Sequence, residues 1–281
     1  MINKVLVAMT AIYLMGAGIY SVDNTVSIIQ TPEGKYDVLC KDHTREVISR
    51  EDLLNNNMCP HVAVQKEKKD ILFVIDNSGS MQQIQLKLSS YAEEFIKNLQ
   101  NQNLDFQIAV ITTDNYKSRF TNNLQDSRFA DGQILSSESD NLTYKFHDLL
   151  LRGNSGSGDE RALDSIFQAL ENPLNKGFLR SDSQLEIIIL GDEDDHSSST
   201  INFSDDINSP DMIPVQFYTD YLYRITNSTI NNYNYNVKII SVFNVECEDV
   251  IQQKVALRFI EFLDSIQNAK RINICDEEWN L

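Results

Sequence analysis

Asp76, Ser78 and Ser80 stand two residues apart just beyond the apolar run Ile71-Leu72-Phe73-Val74-Ile75. A strand that ends in Asp-x-Ser-x-Ser can turn one carboxylate and two hydroxyls toward one point past its carboxyl end, and Gly79 would let the backbone turn tightly between the serines. Three hard oxygens suit Mg2+, Mn2+ or Ca2+, whereas thiolates and imidazoles select zinc or copper. One carboxylate alone holds such an ion weakly, and a second acidic group supplies what is missing. Ile187-Ile188-Ile189-Leu190 runs into Gly191-Asp192-Glu193-Asp194-Asp195, so again a buried-type strand ends in acid. If the two runs are parallel neighbours, Asp76 and Asp192 emerge at the same sheet edge, where open α/β sheets bind ligands.

With the strand before Asp76-x-Ser78-x-Ser80, a helix after it and Asp192 downstream, these residues resemble the metal-ion-dependent adhesion site of von Willebrand factor A domains, in exported proteins of bacterial type. The resemblance covers roughly residues 67 to 281. It implies a divalent cation, Mg2+ first with Mn2+ or Ca2+ as alternatives, and a protein partner whose acidic side chain completes the coordination. It implies no catalytic residue. The bland reading is a strand-to-helix turn whose serines cap the helix.

The family's third loop offers a threonine before a helix, and this chain has none there. Gly153-Asn154-Ser155-Gly156-Ser157-Gly158-Asp159-Glu160 leads into Leu163, Ile166, Phe167 and Leu170, which mark one helical face. Aligning the helices puts Glu160 at the threonine position. Three carboxylates would over-neutralise Mg2+, weaken its pull on a partner's carboxylate and favour Ca2+ or Mn2+. Alternatively, Asp159 and Glu160 occupy the first helical turn, where acids interact well with the helix N-terminus. Both readings stand at this stage.

The remaining chain alternates strands and helices, which predicts a doubly wound, mostly parallel α/β sheet. Ile84, Leu88, Tyr91, Phe95 and Leu99 fall at helical spacing. A strand over Phe106 to Thr113 precedes Asp114, read as a turn residue or a further carboxylate at the same edge. An irregular stretch with a short edge strand near Ile134 leads to a helix near Tyr144 to Leu151. Pro214 opens a helix reaching Ile225, Val237 to Phe243 is a strand, one helix carries Ile251, Val255, Phe259, Phe262 and Ile266, and Ile272 to Ile274 closes the sheet. The family usually closes with one more helix after that strand; the sequence here stops at Leu281, which reads either as a dispensable last helix or as a shortened chain.

Residues 1–21 read as a signal peptide, with Lys4 before an apolar run to Tyr20; a retained anchor is the alternative. That places the chain outside the cytoplasm, in a periplasm or at a surface. Residues 22 to about 66 read as a small module with a hairpin formed by Tyr36–Cys40 and Arg45–Ser49, followed by a solvated connector, Gln65 to Asp70. Sequence proximity favours Cys40–Cys59 and Cys247–Cys275 among three possible pairings.

A net charge of −17 leaves no basic stripe for nucleic acid and disfavours anionic membranes. The acids from Glu193 to Asp211 read as a hydrated loop, with a second calcium site as the minority reading, and His196 as an exposed histidine. Metal-assisted hydrolysis through Asp76 and Asp192 is the rival function, although no hydrolase or phosphate-binding motif accompanies them. A metal-free structural domain is the third reading.

Overall fold

The computed structural model describes residues 25–41, 43–55, 59, 66–229 and 232–281. The expected signal segment, and His61, lie outside these. The chain divides into two compact units between Lys66 and Glu67.

In the first unit β1 (Thr25–Gln30), β2 (Tyr36–Cys40) and β3 (Arg45–Ile48) form an antiparallel sheet in that order. The expected hairpin is β2–β3, with Tyr36 opposite Ile48. Strand β1 was not anticipated. Its register slips between Thr25 and Ser27, so its apolar residues do not alternate cleanly. Helix α1 (Arg50–Leu54) starts at a capping box in which the Asp52 amide donates to Ser49 Oγ at 3.0 Å. The Cys40–Cys59 disulfide joins Val38 and Ile48 in a core too small to stand without a staple.

The second unit is built on six strands: β4 (Lys68–Ile75), β5 (Asp105–Thr112), β6 (Leu135–Ser136), β7 (Ser183–Leu190), β8 (Tyr235–Ser241) and β9 (Ala269–Asn273). Their order is β6-β5-β4-β7-β8-β9, and every pairing is parallel except β5–β6. Residues 71–75 and 185–190 are buried on both sheet faces, as the continuous apolar runs require. Odd-numbered β4 residues face α2 (Gln82–Ser90), α3 (Ala92–Asn101) and α5 (Leu142–Leu150); even-numbered ones face α6 (Ala162–Glu171), α7 (Val215–Ile225) and α9 (Leu257–Asp264). Two short helices, α4 (Ser118–Thr121) after β5 and α8 (Val245–Ile251) after β8, complete the set. The chain turns from β4 toward β5 on one side and resumes at β7 on the other. The switch point of the sheet therefore lies between β4 and β7.

Three expectations need correction. The connector ends at Glu67, because Lys68, Lys69 and Asp70 begin β4. Asp70 is fully buried, bonded to Arg180 Nε at 2.8 Å, and burial holds its carboxyl above the usual range. The helix from Ile84 to Leu99 breaks at Tyr91, where Ser89 and Ser90 hydroxyls back-bond to Leu86 and Lys87 carbonyls at 2.9 and 2.7 Å, a contact that bends helices. The helix from Ile251 to Ile266 is also two pieces: Gln252 is left-handed (φ 64°), and Ala256 donates to Val242 O at 2.9 Å before α9 begins. After β9 an irregular tail stacks Trp279 on Tyr91, 6.0 Å between centroids, with Lys87 Nζ 4.2 Å from the indole. Cys247 and Cys275 are bonded, tying α8 to that tail. Among the described residues no helix is long and apolar enough to cross a membrane.

Candidate metal centre

Strand β4 keeps its ladder one residue past Ile75: the Asp76 amide donates to Leu190 O of β7 at 2.9 Å. This pairing fixes Asp76 beside the start of the β7 exit loop, and its side chain is fully buried. Ser78 N donates to Asp76 Oδ1 at 2.7 Å, and Ser78 Oγ lies 3.3 Å from Ser80 Oγ. Ser80 itself is exposed. The Met81 amide then reaches Ser78 O at 3.3 Å as the chain turns into α2. Gly79 is not needed for this turn in the way expected. Its φ is not positive and a Cβ there would meet nothing.

Asp192 leaves β7 next to this loop, and Glu160 comes in from the segment before α6. Carboxylate oxygens of Asp76, Glu160 and Asp192 all lie within 4.8 Å of one another. Asp76 Oδ2, Glu160 Oε1 and Asp192 Oδ1 are buried and have no hydrogen-bond partner. Gly191 floors the cluster: a Cβ there would sit 3.8 Å from both Asp76 Oδ2 and Glu160 Oε2.

Burial is the chief electrostatic cost. It pushes Asp76 up to about 7, and with the Asp76 charge beside it pushes Glu160 up to about 11. A proton taken up by one of these carboxyls relieves repulsion that a cation could relieve instead.

Glu160 is not in the first turn of α6. Arg161 is the N-cap, and the helix start is satisfied by other groups, the Leu163 amide donating to Asp195 Oδ1 at 3.0 Å and the Asp164 amide to Ser197 Oγ at 2.9 Å. Asp195 thus takes the dipole-facing role, and Glu160 is left to face Asp76 and Asp192. Asp159 turns away, forked onto Arg161 at 2.9 and 2.7 Å.

Further residues shape the cluster, and Gln85 among them had no sequence signal. Gln85, buried on α2, donates to Asp76 O at 2.7 Å and Gly153 O at 2.8 Å and accepts from the Arg152 amide at 2.9 Å. It binds the first loop to the third. Asp114 stays outside the three-carboxylate group and accepts from the Ser157 amide at 3.3 Å and from Lys117 at 2.8 Å. Gly156 donates to Asn77 O at 2.7 Å, and a Cβ there would overlap the Asn77 amide.

The acidic loop is only partly hydrated. Asp205, Asp206 and Asp211 are exposed, but Asp195 is buried on Arg258 Nη2 at 3.1 Å, and Asp194 accepts the α9 amides of Arg258 and Phe259 at 2.9 and 3.2 Å. His196, expected in solvent, is buried, and its amide donates to Glu160 O at 2.8 Å. These anchors hold the start of the loop, residues 194–196, against α9 and the Glu160 backbone.

No family model and no curated protein matches the chain. Among solved structures it is similar to proximal thread matrix protein 1 from the mussel byssus, at 11% identity over 70% of this chain and 48% of that one, TM-score 0.37. It is also similar to the pilus adhesin SpaC from Lactobacillus rhamnosus GG in its open conformation, at 12% identity over 89% of this chain and 33% of that one, TM-score 0.43. The chain spans about half the length of the first and a third of the second. Likeness at this level adds nothing to the geometry of the site.

Proposed function

We propose that residues 67–281 form a von Willebrand factor A-type domain that binds a protein partner through a divalent cation held by Asp76, Glu160 and Asp192, with hydroxyls from Ser78 and Ser80. The observation that carries this reading is the burial of three carboxylates whose inward oxygens lack partners. Buried charges are otherwise paired or bound to metals. Oxygen-only donors fit a hard cation. When bound, that cation supplies an electrophilic centre for a partner's carboxylate. The Ser78 amide fixes the orientation of the Asp76 carboxyl at 2.7 Å and opposes the effect of burial on it, while Gln85 ties the first loop to the third.

Glu160 distinguishes this site from one completed by threonine. Three ionised carboxylates exceed a dication's charge by one, so the site favours Mn2+ or Ca2+ over Mg2+ and draws a partner's carboxylate less strongly. Export is part of the same proposal and is supported by both disulfides. In this reading the cation serves binding and the chain is not an enzyme.

Thermal unfolding in chelator and then in Mg2+, Mn2+ and Ca2+ tests the reading. At a hundredfold excess over its dissociation constant an ion adds about 2.7 kcal/mol. The shift is expected in the parent and absent in Asp76→Ala. Equal shifts in both, or none with any ion, would sink it.

A further inference from the structure

Between Arg180 and Arg224 the chain has no lysine or arginine, yet a fully buried arginine reaches into this stretch from outside it. Arg161 donates to the carbonyls of Thr200 at 2.6 Å, Ser198 and Ile201 at 3.3 Å and Asn202 at 3.4 Å. Its guanidinium is locked by the fork onto Asp159 and lies 4.5 Å from the Tyr116 ring. The loop's ends are joined as well: Ser199 N donates to Asp211 O at 2.8 Å and Ile213 N to Ser197 O at 3.1 Å. A desolvated guanidinium is thus committed to fixing the backbone of an otherwise peripheral loop.

What that backbone displays is apolar. Ile201 is 65% exposed and Phe203 53%. The Phe203 ring stands edge-on to His196 with centroids 4.9 Å apart, and the His196 amide is bonded to Glu160 O. The ridge therefore adjoins the three-carboxylate cluster. Exposed Asp205, Asp206 and Asp211 follow on the same loop. Rigid apolar side chains rimmed by polar groups are what a binding face needs, since little ordering entropy remains to be lost on contact.

We propose that Ile201 and Phe203, with the acidic rim behind them, form a docking ridge for a protein segment that carries an apolar side chain among lysines or arginines. The rim's charge selects a basic partner, and a second copy of this chain, at −17, would be repelled. The inference rests on the reading of the neighbouring cluster as a protein-binding site and names the flanking chemistry of its partner.

The test titrates synthetic peptides into the full chain by fluorescence anisotropy with Mn2+ present. Each peptide carries one aspartate beside a leucine, flanked by lysines in one set and glutamates in the other. The lysine set is expected to bind at least tenfold tighter, and Phe203→Ser and Ile201→Ser each to weaken it at least tenfold while keeping the parent's Mn2+-induced thermal shift. Absence of binding to the parent, equal affinity for both sets, or affinity unchanged in Phe203→Ser would overturn the ridge. Lysine-set binding that survives chelator and Asp76→Ala but is lost in Phe203→Ser would sustain the ridge and overturn the metal reading.

Discussion

Glu160 decides how the cluster behaves without a cation. In an unfolded chain it and Asp76 titrate near 4. In the folded, metal-free protein burial holds their protons to about 11 and about 7. The folded state then binds more protons than the unfolded one, so the stability this pair contributes is whole below about pH 4 and is lost as pH rises toward those values. In chelator, the melting temperature of the parent is expected to fall between pH 5 and 9 more steeply than that of Glu160→Gln, which has no proton to lose. Identical slopes in differential scanning fluorimetry would contradict this. Glu160 was legible in sequence only by aligning the helix after it. Arg161, fully buried next to it, gave no signal, because besides Asp159 its bonding partners are carbonyls 37 to 41 residues away that no local spacing reveals.

At the scale of elements, β4 and β7 could be read from sequence because strands buried on both faces are unbroken apolar runs, and their adjacency follows from the switch in winding direction. Helix continuity could not be read. Periodicity across Tyr91 and Gln252 is good, and what breaks the helices is serine back-bonding in one case and a strand-hugging segment in the other. Gln85 connects these elements to the site. Replacing it with Met leaves Asp76 O, Gly153 O and the Arg152 amide without their partner. Only the Asp76 carbonyl is fully buried, the other two groups being within reach of water; at ~1–3 kcal/mol for one buried group left unsatisfied, Gln85→Met is expected to lose roughly 2 kcal/mol in urea unfolding and to weaken metal binding, since the first and third loops are no longer joined. Unchanged stability and metal affinity would remove Gln85 from the account. Asp195 gives a second test of the same scale. It holds Arg258 and the start of α6, and breaking a buried ion pair from one side costs ~3–5 kcal/mol. Asp195→Ala should therefore unfold at markedly lower urea, with part of the loss recovered when Arg258→Met is added.

For the whole molecule, the cysteines were informative because pairs close in sequence need few other contacts to be brought together. Both preferred pairings occur, with Cα atoms 5.7 and 5.6 Å apart. The Cys247–Cys275 bridge closes a loop spanning 28 residues, for which chain entropy gives about 3 kcal/mol. Cys247→Ser with Cys275→Ser is expected to lower stability by about that amount and to speed proteolysis of the tail around Trp279, while leaving metal binding intact, because neither cysteine belongs to the cluster. Loss of metal binding in that double variant would show that the tail supports the site.

The central claim is that Asp76, Glu160 and Asp192 hold a cation. It is tested most directly by counting bound Mn2+ with electron paramagnetic resonance as the ion is titrated into the metal-free chain. The account predicts one tightly held ion per chain, displaced by Ca2+ and lost in both Asp76→Asn and Asp192→Asn. Mn2+ that stays free throughout, or binds those variants as tightly as the parent, would contradict it.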